Sequence, residues 1–115
     1  MYKMTYAEII EGDCRQARAN EQQAFNQAIA MMEEADGKDI AAPEVFAAVQ
    51  NIQKLWVFLI ENLSDPANEL APSLKKDLIS IGIWAIREAD RVLSTPAKGF
   101  GALIEVNRSI RDGLA

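Results

Sequence analysis

The side chains able to do chemistry are few, and their types exclude more than they suggest. The chain of 115 residues has no histidine, which removes the commonest general base and metal ligand. A di-iron helical bundle needs Glu-x-x-His pairs facing inward, and none can be built here. Cys14 is alone, so no internal disulfide can form. It lies near an expected helix start, where a thiol pKa can fall, but it has no base as partner. Gly99-Phe100-Gly101 follows no strand and lacks the spacing of a dinucleotide or phosphate loop, so it reads as a hinge or helix start. No cofactor or metal is expected, and an enzyme has almost no support.

Polar residues that packing does not explain point instead to binding. Asn107 falls on a seam that periodicity assigns to the interior. Either it fixes helix register by pairing with a neighbour, or it holds a partner's backbone at a groove. Arg87 and Glu88 follow the most apolar part of one helix, and Arg108 and Arg111 lie beside the Asn107 seam. Trp56 and Trp84 sit inside apolar rows and read as core. Met31 and Met32 fill core on one reading. On the other they give a mobile helix adaptable thioether contacts.

The elements that position these residues are all helical. In Asp77–Leu93, Leu78, Gly82, Ala85, Ala89 and Val92 recur in steps of three and four, with Ile79, Ile83, Ile86 and Leu93 alongside. So little polar surface predicts a central helix surrounded by the others, started by Pro72 and stopped by Ser94-Thr95-Pro96. Val45, Val49, Ile52, Trp56, Leu59 and Leu63 give the strongest periodicity, in a helix from Pro43 to Ser64. The polar stretch SDPANELAPS is the loop between the two. Thr5 and Glu8 have capping-box spacing, predicting a short N-terminal arm that ends at Gly12. Asp13 caps a helix to about Ala35, whose alanine-rich stripe predicts the least firmly packed of the long helices. Phe100, Leu103, Asn107, Ile110 and Leu114 make the last seam. The fold expected is all-α, one domain over 1–115: a bundle of three to four long helices with a short N-terminal helical arm.

Half the residues are apolar and a quarter charged, a globular composition. Such a length buries about two-thirds of its unfolded surface without staples. The start of the chain does not read as a signal peptide, and no apolar run reaches the roughly 18 residues of a membrane span. A cytoplasmic soluble protein is expected. Net charge is −5, and residues 1–46, with nine acids against four bases, carry all of it. A nucleic-acid binder wants a basic face; here only Lys75, Lys76, Arg108 and Arg111 could assemble one.

Three stretches together, MYKMTYAEI, DLISIGIWAIREADR and LIEVNRSIRDGL, resemble the FlaF family of bacterial flagellar biosynthesis regulators over nearly the whole chain. Residues 12–42 match the family pattern least. The resemblance implies a small cytoplasmic protein needed for flagellin production, working beside a second regulator, FlbT. The leading expectation is a secretion chaperone that binds unassembled flagellin, holding a terminal helix in an apolar groove. Arg87, Glu88, Asn107, Arg108 and Arg111 would then hydrogen-bond or salt-bridge that helix at the groove's rim. The alternatives are a post-transcriptional regulator acting with FlbT or on flagellin mRNA, and a scaffold whose only partners are other regulators.

Overall fold

The computed structural model describes the backbone of residues 6–95 and 99–113, and the side chains among these from Asn20 onward. Four helices follow in order: α1 (Tyr6–Ala35), α2 (Pro43–Ser64), α3 (Pro72–Ser94) and α4 (Gly101–Gly113). The expected all-α bundle is the fold observed. Pro43 and Pro72 open α2 and α3, because a first-turn proline has no N–H to orphan and its φ is already helical.

Gly12 does not end a helix. α1 runs through it for 30 residues, so the arm and the helix expected from Asp13 are one element. Glycine inside a helix costs only about 1 kcal/mol relative to alanine, which good helix formers on both sides outweigh. Asp13 is therefore not a cap, and Cys14 stands more than one turn inside α1 rather than at its start. Thr5 of the expected capping box lies outside the described residues.

The middle of the bundle is α2, not α3. It packs against both α1 and α3, while α4 lies on α1 and meets α3 more lightly. Seven α2 side chains are buried: Val45, Ala48, Val49, Ile52, Trp56, Leu59 and Leu63. α3 buries a narrow row of mostly small residues, Gly82, Ala85, Glu88, Ala89 and Val92, and leaves Ile83 42% exposed. That row explains the apolar pattern differently from a surrounded helix: small residues let the α3 backbone come close to α2. At Gly82 a Cβ would stand 2.7 Å from Trp56 Cε3 and 2.9 Å from Ile60 Cδ1. Trp84 is accordingly only half-buried, whereas Trp56 is fully buried.

α1 is not loosely held in its described part. Phe25, Ala28, Ile29, Met32 and Ala35 are all buried to within 2%. Met32 is ordinary core, and Met31 packs on the edge of it. Phe25 meets the Trp56 ring edge to face, with centroids 5.7 Å apart at 74°, an arrangement favoured by the two ring quadrupoles. Two polar ties complete the frame. Gln53 Nε2 of α2 donates to Ile86 O and Asp90 Oδ1 of α3 at 3.0 and 2.8 Å. Asp36 Oδ1, just past α1, accepts the Phe100 N–H at 2.9 Å, at the start of α4, where Gly99 supplies a positive φ of 68°.

Candidate functional site: an apolar groove at one end of the bundle

The loop after α2 is shaped by its own side chains. Asp65 Oδ1 accepts the Ala67 N–H at 2.9 Å, and Asn68 Oδ1 accepts the Leu70 N–H at 3.0 Å. Such two-residue links are what Asp and Asn supply in turns. Lys75 Nζ, in the first turn of α3, donates to Asn68 O. Together they hold Leu70 beside the first turns of α3 and leave it facing outward.

Between that loop, the end of α2, the start of α3, the middle of α1 and the last turns of α4 lies a groove of about 430 Å³. Phe25, Trp56, Leu59 and Leu63 form its floor, while Leu70, Leu74, Leu78 and Ile110 rise at its sides. Leu70 and Leu74 are 41% and 45% exposed, so the groove presents aliphatic surface to solvent. Asn62, Asn68 and Ser109 add neutral polar groups, and among the described residues Glu21 is the single charged one in the lining. Burial against this apolar surface raises the Glu21 carboxyl above its ordinary value of 4.5, because a charge loses hydration there. Among the described residues no cation or hydrogen-bond donor offsets that loss.

The five residues expected at a groove's rim do not come together, and none lines this one. Asn107 is wholly buried. Its Oδ1 accepts the Trp56 Nε1–H at 2.8 Å, and its Nδ2 donates to Leu103 O at 2.7 Å, so the amide is used inside the core. Of its two readings, the geometry matches register fixing. Glu88 is 4% exposed and pairs with Arg91 at 2.9 Å. Arg108 pairs with Glu33 of α1 at 3.1 Å. Arg111 reaches Asp112 at 3.1 Å and Asn26 of α1 at 3.4 Å. The two arginines thus span the α1–α4 seam. Arg87 is exposed on α3. The basic face that RNA binding would need is weakened by these acid partners.

Sequence reasoning passed over Glu21, Leu70 and Leu74. Glu21 stood in a run of polar residues, and Leu70 in a stretch taken only as a loop. The available signal was the pair Leu70 and Leu74, spaced to reach one side of a helix start yet given no partner row.

Among the described residues no helix is long and apolar enough to cross a membrane, and no cluster of His, Cys, Asp or Glu could hold a metal ion. A family model described as "Flagellar protein FlaF" matches residues 2–114. Neither the curated proteins nor the solved structures contain a match.

Proposed function

The chain belongs to the FlaF family of flagellar proteins, and from that premise we propose that it is a cytoplasmic chaperone which binds unassembled flagellin by docking a helical segment in the groove at the end of the bundle. The observation that carries this reading is the exposed aliphatic wall of Leu70 and Leu74 over a buried Phe25–Trp56 floor. Pockets of roughly 300–1,000 Å³ with an apolar lining and few polar groups are what a docked side-chain cluster needs. A helix of a partner fills such a groove with residues at i, i+3, i+4 and i+7. Covering those leucines while flagellin awaits export would keep both surfaces out of water.

Calorimetric titration of the protein with monomeric flagellin, intact and with either terminal segment removed, tests the reading. Binding at about micromolar Kd, some −8 kcal/mol, should disappear with one truncation. It should also weaken at least tenfold in Leu74→Asp, which puts a charge on the groove wall at an already exposed position. If no form of flagellin binds, the chaperone reading fails, and regulation through FlbT or flagellin mRNA takes its place.

A further inference from the structure

The chemistry of the groove constrains what can occupy it. Among the described residues its lining is aliphatic and aromatic except for three neutral polar side chains and one carboxylate, Glu21, at the α1 wall. Glu21 lies one turn before Phe25 of the floor, lines the groove and is partly buried. It accepts no hydrogen bond and makes no ion pair among the described residues. A guest that brought only apolar side chains would desolvate this carboxylate further and leave it unpaired, which is the most costly way to bury a charge. A guest that brought a cation to the same point would compensate it. The rest of the molecule agrees in sign, since the chain is net acidic and residues 1–46, which include Glu21, carry the excess.

We propose that the segment taken up by the groove is an amphipathic helix of a protein partner whose apolar stripe is interrupted by one lysine or arginine, and that this cation pairs with Glu21. The inference rests on the reading of the groove as a helix-docking site and adds its selectivity. The leucines supply contact area, and Glu21 fixes register and orientation, because a helix laid in reversed or shifted by a turn moves its cation away. A helix with an acid in that place is rejected, since two carboxylates would share one poorly hydrated site.

The test uses the full chain and three synthetic helical peptides of about 18 residues. They share one leucine stripe and carry Lys, Gln or Glu at a single position within it. Fluorescence titration should show the Lys peptide binding about fivefold tighter than the Gln peptide, and the Glu peptide weakest. In Glu21→Gln the three affinities should converge. Circular dichroism checks that the variant stays folded. Equal affinities for the wild-type chain would overturn the proposal, as would failure of all three to bind. A concentration-dependent dimer that Leu74→Asp dissolves would seat a second copy of this chain in the groove and overturn it as well. Flagellin failing to bind while the Lys preference holds would leave this proposal standing and remove the flagellin reading.

Discussion

Asn107 and Glu21 show how one polar residue can be resolved in opposite ways by its surroundings. Asn107 is buried with both ends of its amide used, by Trp56 and by Leu103, so burial costs it little. Replacing it by leucine leaves the Trp56 N–H without an acceptor in the core, and an orphaned donor of that kind costs about 1–3 kcal/mol. Urea denaturation of Asn107→Leu should show that loss, and adding Trp56→Phe should recover part of the indole's share of it. Among the described residues Glu21 has no such compensation. A raised carboxyl pKa means that the folded chain holds the proton more tightly than the unfolded one. The stability this contributes is present below the ordinary value near 4.5 and is lost as pH rises through the raised value. At pH 7 the ionised side chain therefore works against folding. Glu21→Gln should raise the thermal midpoint at pH 7, and the gain should vanish when the melt is repeated below about pH 4.

At the scale of elements, small residues decide which helices touch. α3 meets α2 through Gly82, Ala85 and Ala89, and the partner at Gly82 is the edge of the Trp56 ring. That ring cannot step back, because Phe25 packs against it and Asn107 holds its nitrogen. Gly82→Ala should therefore destabilise the protein by about 1–2 kcal/mol in chemical denaturation. Overpacking costs typically 1–3 kcal/mol, and the helix preference of alanine returns at most about 1. The start of α4 depends on a residue from another element. Asp36 Oδ1 takes the Phe100 N–H as a cap would. Asp36→Ala should cost about 1 kcal/mol, whereas Arg108→Ala, which breaks an exposed pair with Glu33, should change stability by less than half of that.

At the scale of the whole molecule the bundle is long and thin. Its Cα radius of gyration is 16.4 Å, against about 13 Å for a compact globule of this length. The extents are 56 × 31 × 19 Å, and a thickness of 19 Å is about two helices at roughly 10 Å each. In so thin a body few helices can be covered on all sides. The buried residues therefore run as a layer shared by α1 and α2, with α3 and α4 laid on it. Hydrogen exchange should follow that layering: amides of Phe25–Ala35 should be as slow as those of Val49–Leu63. Those of α4, which buries only Leu103, Ile104 and Asn107, should open first.

The division between what is written in the chain and what the packing adds follows from the range of the forces involved. Helix class, the starts at Pro43 and Pro72, the stop at Ser94 and the interior place of Asn107 were all legible. Each depends on residues within a turn or two of one another, through periodicity, φ restriction and capping. The same local view failed at Gly12, where one poor helix former was outweighed by its neighbours. It also failed for α3, because periodicity reports how much of a helix is apolar but not what lies against it. Gly82 and Ala85 read as part of a surrounded helix until the indole of Trp56 is seen to fill the space they leave. The groove was the least legible feature. Glu21 is far in the chain from Leu70 and Leu74, and only the crossing of four helices places its carboxylate among leucines. The family could be read from the residues; the groove is a product of the tertiary fold.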